Sequence, residues 1–66
     1  MEYTNSQIRE LIAEHIHSIR DRIILEKRLI DGLTYEKIAE DMDMSPRQIK
    51  NIIYRNEDIL FRKIEV

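Results

Sequence analysis

The chain has 66 residues, 42% apolar and 36% charged, with a formal net charge of −2; that balance suits a globular fold rather than a disordered chain. One glycine and one proline are too few turn residues for a many-stranded β fold, and the absence of cysteine excludes a disulfide framework and a thiolate zinc site. No apolar run approaches the roughly 18 residues of a membrane helix and no basic-then-apolar leader opens the chain, so a cytoplasmic protein without membrane contact is expected.

Thr4 and Gln7 have the spacing of a capping box, and Tyr3 and Ile8 occupy the staple positions around it, so a first helix starts after Thr4. Ile8, Leu11, Ile12, His15, Ile16, Ile19 and Ile23 follow at steps of three and four, which is one helical face. A second stripe runs through Ile23, Ile24, Leu25, Leu29 and Ile30, and Gly32 ends it where a left-handed residue is wanted. Residues 5–31 admit one helix or two. A single helix would be about 40 Å long, more than a domain of this size spans. Ser18 through Asp21 also fits a capping box, which favours a break near His17.

Leu33, Thr34 and Ile38 repeat the same start signal for a short helix, about Tyr35 to Asp41, with Ile38, Ala39 and Met42 facing inward. Met42, Asp43 and Met44 form a tight turn. Ser45 then caps the last helix, with Pro46 at its first position, Gln48 completing the box, and Met44 and Ile49 as the staple pair. Ile49, Ile52 and Ile53 are its buried row, continued by Leu60 and Ile64, so it runs to about Arg62 or pauses near Asn56. The expected fold is all-α: one domain over residues 1–66, a small bundle of four to five helices containing a helix-turn-helix, with no strands.

A helix-turn-helix needs a small residue where its helices cross, which Ala39 supplies, and a turn residue tolerant of left-handed φ, for which Asp43 is acceptable. Its second helix must start exposed and polar, because its first turns enter the major groove. After Ser45 the outward residues are Arg47, Gln48, Lys50, Asn51, Tyr54 and Arg55. Arginine, glutamine, asparagine and lysine carry the donor and acceptor patterns that read base edges. Residues 45–56 hold three bases and no acid inside an acidic chain. A local basic face is enough for phosphate contact, because the field decays within about 8 Å at physiological salt.

The stretch Arg28 to Ser45 resembles region 4 of bacterial sigma factors: a glycine, Leu, Thr, an aromatic, an acid, Ile-Ala, a short gap, then Ser and the recognition helix. Gly32 through Ala39 and Ser45 through Ile52 carry the likeness. Arg20 through Leu25 is similar to the family's preceding helix, and Ile59 through Lys63 to its C-terminal end, so about residues 19–63 are covered. A more distant likeness is to the C-terminal domain of LuxR-type regulators. The resemblance implies promoter DNA binding through the second helix, with Arg47, Lys50 and Asn51 at bases and Gln48 and Arg55 at bases or phosphates. Thr34, Tyr35 and Lys37 would lie near the DNA backbone at the start of the first helix, and Ser45 belongs to the same DNA-facing set. RNA polymerase is a further partner that the family implies.

Blander readings compete with these. A capped helix pair also occurs in protein-interaction modules, such as one docking on RNA polymerase or a sigma factor, or in the DNA-binding part of a recombination or packaging complex. His15 and His17, two apart on a helix, diverge by about 200° and cannot share a metal ion. Glu10, Glu14 and Asp21 read as a solvated face. With no cleft implied, no enzyme activity, cofactor or small-molecule substrate is expected. The 13 isoleucines are hard to hide in 66 residues. A surplus apolar face on the helix of residues 4–18, together with Ile59, Phe61 and Val66 in the tail, points to a partner surface, most simply a homodimer. The alternative is that this helix folds back on the core. The small size suits a phage or mobile-element regulator.

Overall fold

The computed structural model describes the backbone of residues 3–64 and the side chains of residues 3–62. Four helices follow one another: α1 (Asn5–His15), α2 (Ile19–Leu29), α3 (Tyr35–Met42) and α4 (Pro46–Ile64), with no strand among the described residues. The all-α expectation is met with four helices.

Each helix starts where its cap is written. Thr4 Oγ1 accepts from the Gln7 N–H at 3.1 Å, and Gln7 Oε1 accepts from the Thr4 N–H at 2.8 Å, a complete capping box. Ile16 then turns extended, with φ −109° and ψ 116°, and Ser18 Oγ accepts from the Asp21 N–H at 3.3 Å to start α2. Residues 5–31 are therefore two helices. The longest dimension of the whole fold is 33 Å, too short for one continuous helix of about 40 Å. The box at Ser18 is only half made, because the Asp21 carboxylate is engaged elsewhere.

Arg22 locks the break in place. Its Nη2 donates to the Ala13 carbonyl at 2.8 Å and its Nε to the Ile16 carbonyl. Carbonyls at the end of α1, which a helix leaves unpaired, are thus satisfied by a cation from α2, and this also matches the helix dipole.

The break changes the helical phase, which corrects the expected seven-residue stripe. Ile12 and Ile16 enter the core and Ile8, Leu11 and His15 are half-buried, but Ile19 is 72% exposed and Ile23 41% exposed. In α2 the buried apolar residues are Ile24 and Leu25, with Leu29 and the cap Ile30 half-buried. Gly32 is left-handed as expected, at φ 70°, but it lies two residues past the cap at Ile30. Across that turn the Leu33 N–H reaches back to the Lys27 carbonyl at 3.0 Å.

In α3, Thr34 Oγ1 accepts from the Lys37 N–H at 3.1 Å, and the helix runs one residue longer than expected, to Met42. It ends at Asp43, which is left-handed at φ 55° and ψ 47°. The Met44 N–H returns to the Ala39 carbonyl at 2.9 Å and the Asp43 N–H to Glu40 at 3.4 Å, the paired bonds of a Schellman turn. Ser45 and Gln48 close the last capping box, Gln48 N–H to Ser45 Oγ at 3.2 Å and Ser45 N–H to Gln48 Oε1 at 3.1 Å. α4 continues without the pause considered at Asn56 and is about 28 Å long.

The core gathers Ile12 and Ile16 of α1, Ile24 and Leu25 of α2, Ile38 and Ala39 of α3, and Ile49, Ile52, Ile53 and Leu60 of α4. Leu33 and Met44, the residues just before two of the caps, pack against it. α4 touches all three other helices, so the core seats it firmly.

Asp43 is the only non-glycine residue with positive φ among those described. Left-handed geometry costs a side chain about 1 kcal/mol that glycine avoids. Asp43→Gly is expected to stabilise the fold by about 0.5–1 kcal/mol and raise Tm by a few degrees. A calorimetric scan showing an unchanged or lower Tm would mean the aspartate is at ease in the turn.

Candidate nucleic-acid interface

The rotation of α4 decides what it shows to solvent. Ile49, Ile52, Ile53 and Leu60 face inward. Arg47, Gln48, Lys50, Asn51, Tyr54 and Arg55 are all exposed. At 3.6 residues per turn, Arg47, Asn51 and Tyr54 fall within about 60° of arc at the centre of the outer face. Gln48 and Arg55 flank them on one side and Lys50 on the other. No acid interrupts this face between Ser45 and Asn56.

Gln48 is less free than its exposure suggests. Its Oε1 accepts from the Ser45 N–H at 3.1 Å and lies 3.3 Å from the Ser45 hydroxyl. The carboxamide oxygen is thus tied back to the cap, leaving the NH₂ group as the side chain's unengaged end. Ser45 and Gln48 start the helix and set its phase.

Tyr35, at the first position of α3, joins the two helices of the motif. The Arg28 guanidinium carbon lies 4.5 Å from its ring centroid and Lys50 Nζ 5.7 Å from it, both within cation–π range. Its ring also meets that of Tyr54 edge-on, with centroids 6.3 Å apart. The neighbouring Tyr54 hydroxyl, and then burial, raise the Tyr35 phenol above its ordinary pKa, with Arg28 opposing. Arg28 is itself held by the bond from its Nη1 to the Leu33 carbonyl at 2.9 Å. Tyr35, Glu36, Pro46, Arg47 and Lys50 line a shallow cleft where α3 and α4 begin.

The other two residues expected at the start of α3 are exposed but partly engaged. Thr34 is the cap, and Lys37 Nζ lies 3.3 Å from Asp41, whose other oxygen is 3.6 Å from Lys27. The structure brings Tyr35 and Lys50 together, and it sets Lys37 against an acid on its own helix.

Asp21 corrects a sequence expectation. It is not part of a solvated face: its side chain is 10% exposed and wedged between α2 and α4. Asn56 Nδ2 donates to Asp21 Oδ2 at 3.2 Å and to the Ile52 carbonyl at 2.8 Å. Arg20 donates to Asp21 Oδ1 through Nε and Nη2, both at 3.3 Å, and Arg55 Nη2 lies 3.9 Å from Oδ2. Sequence reasoning missed this cluster because Asp21 and Asn56 are 35 residues apart. The only local signal was the capping box at Ser18. Glu10 and Glu14 are exposed as expected, His17 is exposed, and His15 is half-buried with Nε2 4.0 Å from Glu14. No helix is long and apolar enough to cross a membrane among the described residues.

The family model for sigma-70, region 4, matches residues 18–55, more than half of the chain and all of α2 and α3 with the first half of α4. Neither curated proteins nor solved structures show a significant match.

The buried cluster gives a stability test. Asp21→Ala removes the partner of a buried amide and the anchor of two cations. It is expected to cost about 1–3 kcal/mol in a urea titration, against a few tenths for the exposed Glu10→Ala. Equal effects of the two substitutions would show that Asp21 behaves as a surface acid.

Proposed function

The chain belongs to the sigma-70 region 4 family, and we propose that it is a sequence-specific DNA-binding regulator of transcription, cytoplasmic, whose α4 enters the major groove. The observation that carries this reading is the exposed outer face of α4 between Pro46 and Arg55, free of acids, over an inner row of Ile49, Ile52 and Ile53. Arg47 and Asn51 stand at its centre and read base edges; arginine suits guanine O6 and N7, asparagine suits adenine N6 and N7. Lys50, with Thr34, Tyr35 and Lys37, faces one phosphate wall of the groove, and Arg55 faces the other. Tyr54 braces Tyr35 from the recognition side. Because its oxygen is committed to Ser45, Gln48 contributes a donor alone, and Ser45 contributes the helix start.

Arg47→Ala and Lys50→Ala are each expected to weaken binding by about 1–3 kcal/mol while leaving the melting curve in place. The assay is selection of duplexes from mixed genomic fragments at two salt concentrations, followed by titration of those retained. Affinity that is unchanged in both variants would remove α4 from the interface.

One observation favours a second surface. Tyr3, Ile8, Leu11, Leu29, Leu60 and Phe61 line an entirely apolar groove on the side formed by α1, α2 and the end of α4. Ile12 and Ile16 are already used in the chain's own core, so a partner would meet this groove rather than the whole α1 stripe. A second copy seated here makes a homodimer and doubles the DNA contacts without new chemistry. Sedimentation velocity of the wild type should then show a dimer that Phe61→Glu dissociates. A wild-type monomer at micromolar concentration would instead turn the groove toward another protein, such as RNA polymerase.

A further inference from the structure

We propose that Arg20, in the first turn of α2, pairs with Arg55 of α4 to grip a backbone phosphate of the DNA duplex. The proposal rests on the reading of α4 as the major-groove helix and adds a contact from outside the helix-turn-helix.

One carboxylate steers both cations. Asp21 Oδ1 accepts from Arg20 Nε and Nη2 at 3.3 Å, and Oδ2 lies 3.9 Å from Arg55 Nη2. Asn56 fixes that carboxylate from below at 3.2 Å, and Ser18 holds the Asp21 backbone N–H. The two guanidinium groups therefore share one anchored carboxylate, with two positive charges against one negative. Both remain open, at 55% exposure for the Arg20 side chain and 66% for Arg55. Arg20 uses Nε and Nη2 on Asp21, which leaves Nη1 for another acceptor. Of the next two acids along α4, Glu57 lies about 160° round the helix from Arg55, and Asp58 is engaged by Arg62 at 3.0 Å.

Stability is a poor reason for this arrangement. Both guanidinium groups are more than half exposed, so water screens their pairing with Asp21, and ordering two long side chains offsets what remains. A planar fork presented to an oxyanion is what guanidinium groups do best, and phosphate is the oxyanion that lines a DNA groove.

Position agrees with that use. On a helix of 3.6 residues per turn Arg55 lies about 80° round from Arg47, and Lys50 about 60° the other way. In a groove about 12 Å wide, residues at such angles meet the walls, while Arg47 and Asn51 meet the floor. The Lys50 wall has support from the start of α3. Between Ser45 and Asn56 the Arg55 wall has no other cation, and Arg20 supplies one from α2.

The test uses the full chain and two labelled duplexes, one carrying the motif the wild type selects and one scrambled, titrated over a series of NaCl concentrations. Arg20→Ala is expected to weaken both duplexes by the same factor and to lower the slope of log K against log salt by about 0.9, the loss of one phosphate contact. Arg20→Gln, which can still bond Asp21, should behave like the alanine variant, and Arg20→Lys should keep most of the slope. The double variant with Arg55→Ala should lose no more slope than one single variant, because both side chains serve one phosphate. Unchanged affinity and slope in Arg20→Ala and Arg20→Gln, with the wild type bound, would overturn the grip and leave the α4 reading standing. Loss confined to the selected duplex would make Arg20 a base reader and overturn it too, as would additive slope losses in the double variant. A wild-type chain that binds neither duplex at low salt would overturn both readings at once.

Discussion

The burial of Ile49, Ile52 and Ile53 fixes the rotation of α4 about its axis, and every feature of the candidate interface depends on that rotation. A slip of one residue would turn the helix by about 100° and carry Lys50 into the core. Two devices prevent the slip. The Ser45–Gln48 box sets where the helix begins, and Asn56, bonded to Asp21 three turns later, pins its middle. An apolar row alone specifies a face, whereas a buried hydrogen bond specifies a position along it, because an unpaired buried amide or carboxylate is costly.

The same fixed rotation organises the cations. Lys50 reaches across the Tyr35 ring, which Arg28 and Tyr54 hold in place. Arg55 leans on Asp21. Free side chains lose about 0.5–1.5 kcal/mol each on being ordered at an interface. Partly ordering these two beforehand lowers that cost. A short recognition face can thus do more with three cations than their number suggests.

Much of the fold was readable in the chain itself because helix starts are local. Thr4, Ser18, Thr34 and Ser45 each cap the helix their spacing predicts, and the left-handed Asp43 follows from where the helices must turn. Ile19 and Ile23 were misplaced because the stripe through them assumed unbroken periodicity across Ile16 to Ser18, where the chain is extended. Arg22, which closes that break, has no sequence signature, since its acceptors are backbone carbonyls. Asp21 was unreadable for a related reason: a carboxylate is buried only where partners arrive, and among these Arg55 and Asn56 come from far along the sequence, Asn56 from 35 residues away. Within the candidate site the residue types and their outward direction were visible from the sequence. Which of them are tied down, as Gln48 and Lys37 are, depends on side-chain geometry that spacing does not encode.

An acidic chain can still present a face for DNA when its acids are matched locally. Glu26 meets Arg9 at 3.1 Å, Asp41 meets Lys27 and Lys37, Asp58 meets Arg62, and Asp21 meets Arg20 and Arg55. The net charge of −2 is therefore a sum over separate neighbourhoods, and with screening over about 8 Å a phosphate at α4 senses only its own. In that neighbourhood Glu36 is an opposing charge, lining the cleft beside Arg47 and Lys50, and Glu57 is near enough to act on Tyr35. Glu36 pushes phosphate away from the cleft while the Lys50 side chain draws it to the rim. An acid in that place costs affinity for every duplex alike, so under the proposed function a larger share of the binding that remains would come from base contacts by Arg47 and Asn51, and a small domain with few cations would gain discrimination between sequences in this way.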